Sequence, residues 1–186
     1  MSDAINVVVI YGSTRPGRFC DTVVRWAVER IRASSRFLVE LVDPAQPAKG
    51  GKELGAASLQ EKLAQADAFI VVTPEYNHGY PAPLKALIDS SGGEWHAKPV
   101  AFVSYGGVSG GLRAVEQLRL VFAELHAVTI RDSVSFAGAW EQFDAQGELR
   151  NPERAHRTME ILLERLNWWA VALRNARKVT PYLRSA

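Results

Sequence analysis

The sequence predicts a doubly wound α/β protein, a five-stranded parallel sheet between two layers of helices, and three observations carry that expectation. Short apolar runs of strand length alternate with longer segments of near-helical apolar spacing, the pattern of a parallel sheet with crossover helices. The first and third runs, Val7–Ile10 and Ala68–Val72, are apolar without interruption, as strands covered on both faces are. The least ordinary loops, rich in glycine or proline, all follow apolar runs, so they collect at the strand C-termini where such sheets bind ligands.

The first strand breaks at Gly12 into Gly12-Ser13-Thr14-Arg15-Pro16-Gly17-Arg18-Phe19-Cys20. Val23, Val24, Trp26, Ala27, Val28 and Ile31 then recur at helical spacing with charges between them. A loop feeding a helix N-terminus offers unpaired N–H groups and the positive end of the helix dipole. This one adds the hydroxyls of Ser13 and Thr14 and the guanidiniums of Arg15 and Arg18, whose planar forks suit phosphate. It reads as a phosphate pocket; the competing reading is an ordinary glycine turn with surface arginines. Gly12 to Arg18 stands one residue type from a nucleotide-triphosphate loop. Arg18 and Phe19, however, replace the lysine and the magnesium-binding hydroxyl of that motif, and the G-x-G-x-x-G dinucleotide pattern is absent. A single terminal phosphate is what this loop can still hold.

The second strand is Arg36–Asp43, stopped by Pro44, and its terminal Asp43 reads as a strand end before a proline turn. Pro44–Gly55 is a loop, and Leu59, Leu63 and Ala66 mark a short helix ending at Asp67. The third strand, Ala68–Thr73, runs into Pro74-Glu75-Tyr76-Asn77-His78-Gly79-Tyr80-Pro81-Ala82-Pro83. Three prolines and a glycine within those ten residues fix a rigid loop that opens a helix through Leu84, Leu87 and Ile88. The fourth strand, Pro99–Tyr105, breaks at Gly106-Gly107-Val108-Ser109-Gly110-Gly111, where four glycines in six residues let the backbone approach something flat or charged. A helix from Leu112 to Leu125 and a fifth strand, Val128–Val134, follow. A long helix from Asn151-Pro152-Glu153 to about Arg174 carries one apolar stripe, Met159, Leu162, Leu163, Leu166, Trp169, Ala170 and Leu173. With strand order 2-1-3-4-5 the loops after strands one, three and four become neighbours around one site.

Composition narrows the function. The 186 residues suffice for one domain, expected to span 1–186 because no linker or repeat divides the chain. A net charge of +2 from 22 basic and 20 acidic side chains gives no reason to expect nucleic acid. Arg150, Arg154, Arg157 and Arg165, interleaved with Glu148, Glu153, Glu160 and Glu164, read as an ion-paired helix face. Cys20 is the only cysteine, which rules out an intrachain disulfide and fits a reducing compartment. Without a membrane-length apolar run or a leader-like N-terminus, the expected location is the cytoplasm.

Gly12-Ser13-Thr14-Arg15, then Thr73-Pro74-Glu75-Tyr76-Asn77 with Pro81, Leu84, Lys85, Ile88 and Asp89, then Ser104-Tyr105-Gly106-Gly107 resemble the NAD(P)H-dependent FMN reductase family. That family has a flavodoxin-like fold, three layers in the order α/β/α, and includes quinone, azo-dye and chromate reductases. The likeness runs from about Val7 to Val134; the C-terminal helix carries no signature. It implies an FMN phosphate on Ser13, Arg15, Arg18, Phe19 and Cys20. It places the flavin ring against Pro74, Glu75, Tyr76 and Asn77, largely through main-chain groups, with Ser104, Tyr105, Gly106 and Gly107 at the other edge. Cys20 stands where the family often has a serine, and a thiol is a weak donor, so that contact falls to its N–H and to Arg18. Gly79 replaces a common serine as well.

The resemblance implies an oxidoreductase taking electrons from NADH or NADPH and reducing a small acceptor such as a quinone by ping-pong hydride transfer. Free flavin, azo dyes and chromate are further acceptors. Such chemistry needs stacking and close approach and no side-chain acid or base, so no catalytic residue is named. A single entrance is expected beside His78, Tyr80, Gly110 and Gly111. Trp95, Trp140, Trp168 and Trp169 add apolar area that suggests a homodimer or homotetramer. The alternative is a flavodoxin-like electron carrier or flavin-dependent regulatory module, but such carriers tend to be acidic and this chain has a pI of about 8.8. The scattered histidines argue against a metal, the missing G-x-S-x-G elbow against a hydrolase, and a phosphate in the pocket against Cys20 as a redox sensor.

Overall fold

The computed structural model describes residues 4–46 and 58–182. Strand β1 (Ile5–Tyr11) lies between β2 (Phe37–Val42) and β3 (Ala68–Pro74), and β4 (Pro99–Gly106) and β5 (Val128–Ala137) follow on the far side of β3. All four pairings are parallel, so the order β2-β1-β3-β4-β5 is that of the flavodoxin-like doubly wound fold. The helices are α1 (Cys20–Ala33), α2 (Leu59–Gln65), α3 (Ala82–Asp89), α4 (Leu112–Glu124), α5 (Ala139–Gln142) and α6 (Glu153–Val179).

The uninterrupted apolar runs have a simple cause. Side chains alternate across a strand, so a strand sandwiched between helix layers must be apolar at every position. Val7, Val9, Ile70 and Val72 enter one core with α1 and α6, while Val8, Ile10, Phe69 and Val71 enter the other with α2, α3 and α4. Every residue of β3 and β4 is buried, whereas the edge strand β2 leaves Leu38 and Leu41 exposed. The stripe on α6 buries Met159, Leu162, Leu163, Leu166 and Ala170 and rests Trp169 against the same core.

Element boundaries move by a few residues from the sequence expectation. α2 stops at Gln65, because Lys98 donates its ammonium to the carbonyls of Leu63 and Ala64 at 2.8 and 2.9 Å and closes that end. β5 continues to Ala137 and α6 to Val179. The loop expected over Pro44–Gly55 lies outside the described residues from position 47 onward. Trp95, expected to add exposed aromatic area, is fully buried between Phe69 and Phe122 at ring distances of 4.6 and 5.4 Å. A short 3₁₀ turn, Gly93–Trp95, tips it into the core, where its indole N–H donates to the carbonyls of Ile88 and Ser91. Among the described residues no helix is long and apolar enough to cross a membrane.

Candidate functional site

Gly12 ends β1 because nothing larger fits. A Cβ there would lie 2.7 Å from the Val72 carbonyl oxygen and 2.8 Å from the Thr73 Cα. The chain therefore leaves the sheet pressed against β3 and turns at Gly17, whose φ of 62° suits glycine, into α1. Among the described residues the main-chain N–H groups of Thr14, Gly17 and Phe19 have no hydrogen-bond acceptor. Three free donors before a helix N-terminus make a cradle for an anion. Arg15 is exposed beside them, its guanidinium 3.5 Å from the centre of the Tyr76 ring.

Arg18 faces the other way. Its fork grips Asp43 at 2.7 and 2.5 Å, its Nε donates to Asp21 at 2.7 Å, and its Nη1 also donates to the Ser13 carbonyl. Tied to β2 through Asp43, Arg18 fixes the path of the loop. The Arg18 hydrogen bonds hold the Asp43 carboxyl below the usual range against the opposing effect of burial. Cys20 is fully buried at the start of α1, and burial pushes its thiol up, which suits a packing side chain and not a reactive thiolate. Phe19 packs on Tyr105, Trp140 and Phe143 with ring centres 5.8, 6.1 and 5.5 Å away.

After β3 the chain makes a two-residue hairpin. The N–H of Tyr76 donates to Gly79 at 2.9 Å and that of Gly79 to Tyr76 at 3.1 Å. The two residues between, Asn77 and His78, both sit in the left-handed region with φ of 50° and 74°. For side chains other than glycine this strain is on the order of 1 kcal/mol or more each, so outside contacts must hold it. Asn77 and His78 project into solvent and Tyr80 is half-buried behind them. The Tyr76 hydroxyl meets the buried Ser13 hydroxyl at 2.6 Å, joining this turn to the first loop. Glu75, whose side chain is only 5% exposed, accepts from Ser109 at 2.5 Å and from Arg113 at 2.5 Å. Burial opposes its charge, but those hydrogen bonds prevail and hold its carboxyl below the usual range.

The loop after β4 folds back on itself. Ser104 and Ser135 both donate to the Gly110 carbonyl, at 2.8 and 2.9 Å. Gly110 and Gly111, expected from sequence beside an entrance, are buried with φ of 60° and 84°. A Cβ on Gly111 would stand 2.8 Å from both the Ser104 Cβ and the Tyr105 nitrogen. Gly107, by contrast, is exposed, and a Cβ placed on it would meet no atom within 4 Å. Val108 at the tip is wholly exposed. Tyr105 is buried, which pushes its phenol up, and its carbonyl accepts the Glu75 N–H at 3.2 Å.

The three loops thus touch pairwise: Ser13 with Tyr76, Glu75 with Ser109, and Phe19 with Tyr105. Together they bring an N–H cradle and exposed Arg15 beside the turn Pro74–Asn77 and the strand end Ser104–Gly107. Asp43, read from sequence only as a strand end, Ser109, and Arg113, which the sequence did not single out, belong to the site as well; only strand adjacency brings them to Arg18 and Glu75. Among the described residues no group of three or more His, Cys, Asp or Glu is placed to hold a metal. His96 and His126 do come together, 5.1 Å apart with Tyr182 beside them, but they precede β4 and β5 at the sheet edge opposite these loops.

Comparison with known proteins shows the family of the chain. Residues 5–141 match the family described as NADPH-dependent FMN reductase. A probable NADPH:quinone oxidoreductase of Oryza sativa subsp. japonica is 36% identical over 177 residues, 86% of this chain and 89% of that protein. An NAD(P)H-dependent FMN reductase of Schizosaccharomyces pombe is 38% identical over 119 residues, 56% of this chain and 60% of that protein's length. Among solved structures, a flavoenzyme NAD(P)H:(acceptor) oxidoreductase from Paracoccus denitrificans superposes with a TM-score of 0.69 at 21% identity, covering 91% of this chain and 98% of that one.

Proposed function

The chain belongs to the NADPH-dependent FMN reductase family, and on that premise we propose that it passes electrons from NAD(P)H to a quinone-like acceptor in two alternating half-reactions. It is an oxidoreductase with FMN as cofactor and NAD(P)H as electron donor. FMN supplies two-electron hydride chemistry on a flat ring that carries a dianionic phosphate at the far end of its chain.

The residues fit such a group. The observation that carries the reading is the set of N–H groups at Thr14, Gly17 and Phe19, unpartnered among the described residues, beside exposed Arg15. These donors take the phosphate, with the Ser13 hydroxyl and the N–H of Cys20 alongside, while Arg18 keeps Ser13 in place from behind. Pro74, Glu75, Tyr76 and Asn77 offer the ring main-chain groups on one side, and Ser104, Tyr105, Gly106 and Gly107 bound the other. No side chain here is a general acid or base for hydride transfer, and the protein's part is to bind, orient and exclude water.

His78 and Tyr80 flank the exposed side of the turn and contact whichever substrate is present. A shared approach obliges NAD(P)H and acceptor to take turns. Initial rates measured while both concentrations vary are expected to give parallel double-reciprocal lines; intersecting lines would mean that both substrates bind at once. The same reading makes the protein a cytoplasmic homo-oligomer. Exposed Leu112, Leu120, Trp140 and Trp168 supply the contact area, without Trp95.

A further inference from the structure

We propose that one face of α4 and the turn before it form a strut that fixes the Glu75–Gly79 hairpin, with Ser109, Arg113 and Gln117 as positioning residues for the flavin ring. The inference rests on the binding reading above. Arg113 and Gln117 are four apart in α4 and so lie on one side of the helix, and Ser109 stands in the turn just before its N-cap Gly111. Each reaches the same hairpin. Ser109 Oγ donates to Glu75 Oε2 at 2.5 Å, Arg113 donates its main-chain N–H to Oε2 at 3.2 Å and its Nε to Oε1 at 2.5 Å, and Gln117 Nε2 donates to the His78 carbonyl at 2.9 Å.

The dependence runs in both directions. The N-cap of α4 is Gly111, which close packing requires to be glycine and which therefore offers no side-chain acceptor to the first turn. Glu75 supplies that acceptor from another loop, and its negative charge sits favourably at the helix N-terminus. The hairpin in turn holds Asn77 and His78 in strained left-handed conformations, which a further contact can secure. Gln117 clamps the strained peptide directly, and the absence of a side chain at Gly79 makes room for it: a Cβ there would lie 2.9 Å from Gln117 Oε1. The hairpin's main-chain groups are the ring platform, so the strut sets where the ring lies, while the N–H groups of the phosphate cradle belong to another loop that meets the hairpin through the Tyr76 side chain.

The test compares FMN and riboflavin. The full chain, stripped of flavin, is titrated with each ligand while bound-flavin absorption and fluorescence are followed, for wild type, Arg113→Ala, Arg113→Lys, Gln117→Ala and Glu116→Ala. Losing these hydrogen bonds is expected to weaken both ligands by the same factor, about three- to tenfold for Arg113→Ala and Gln117→Ala, leaving the FMN-to-riboflavin ratio at its wild-type value. Arg113→Lys recovers part of the loss. Glu116→Ala, on the same helix but bonded only to Arg119, leaves both affinities unchanged. Exposed Gln117 can be truncated without unfolding the chain, and equal melting temperatures of the flavin-free proteins check this. Wild-type affinities in Arg113→Ala and Gln117→Ala, or a loss confined to FMN, would overturn the strut while leaving the flavin site standing. A wild type that binds neither ligand would overturn both.

Discussion

Asp43→Ala isolates the device that holds the first loop. Arg18 and Asp43 have side chains 10% and 9% exposed, and the fork makes two charge-assisted bonds at 2.7 and 2.5 Å. Removing one partner of a buried pair is strongly destabilising, about 3–5 kcal/mol, because the other charge remains desolvated. Here Arg18 keeps Asp21, which is 61% exposed, and the Ser13 carbonyl, so its charge is not abandoned. The Asp43 carboxylate also accepts from the Ala45 N–H at 2.9 Å, a turn contact that is lost too. A net loss of about 2–3 kcal/mol follows, and for a chain of this size that lowers the melting temperature by about 5–10 °C. Calorimetry at neutral pH reads it directly, and 0.5 M salt is expected to change the difference little because the pair is sheltered. FMN affinity should fall with stability, since the Ser13 carbonyl and the N–H cradle lose their anchor. The Arg18→Met/Asp43→Ala double variant, with no stranded charge, is expected to recover much of the stability but not the affinity. A drop below about 2 °C in Asp43→Ala, or full stability loss with unchanged FMN affinity, would refute the anchoring role.

Two further outcomes bear on the same framework. Gly111→Ala places a Cβ 2.8 Å from Ser104 and Tyr105 in a backbone with φ of 84°, and a loss of at least about 3 kcal/mol in urea unfolding is expected, against near-neutrality for exposed Gly107→Ala. On the acid side, Asp43 and Glu75 are both held below the ordinary carboxylate range, so the unfolded chain binds more protons and stability falls as pH drops through and below that range. Urea midpoints measured from pH 7 downward should show this fall, and Glu75→Gln should flatten it; an unchanged slope would remove Glu75 from the account.

The sheet and the convergence of its loops were legible because they depend on local signals. Uninterrupted runs such as Val7–Ile10 and Ala68–Val72 report burial on two faces, and glycine or proline at each strand end reports a turn. Pairings between distant loops were not legible. Arg18 and Asp43 are 25 positions apart and Glu75 and Arg113 are 38 apart, so only the order of strands brings them together. The same charge that suggested a phosphate contact at Arg18 is neutralised by a partner that sequence alone reads as a strand end. Gly110 and Gly111 were read as letting the backbone approach a ligand, and the sequence could not show that their lack of side chains also serves close packing against Ser135 and Ser104. Trp95 misleads for a similar reason: Gly92, Gly93, Glu94 and His96 surround it with loop-like residues, and the 3₁₀ turn that buries it leaves no periodic trace.

The phosphate reading of the first loop is tested most directly by titrating the flavin-free chain with FMN and with riboflavin. Charge-assisted bonds to the phosphate are expected to make FMN bind about ten- to a hundredfold more tightly, and Arg15→Ala should erase most of that preference while leaving riboflavin affinity and the fold unchanged. Equal affinity for the two ligands in the wild-type chain would contradict the assignment of the first loop to phosphate.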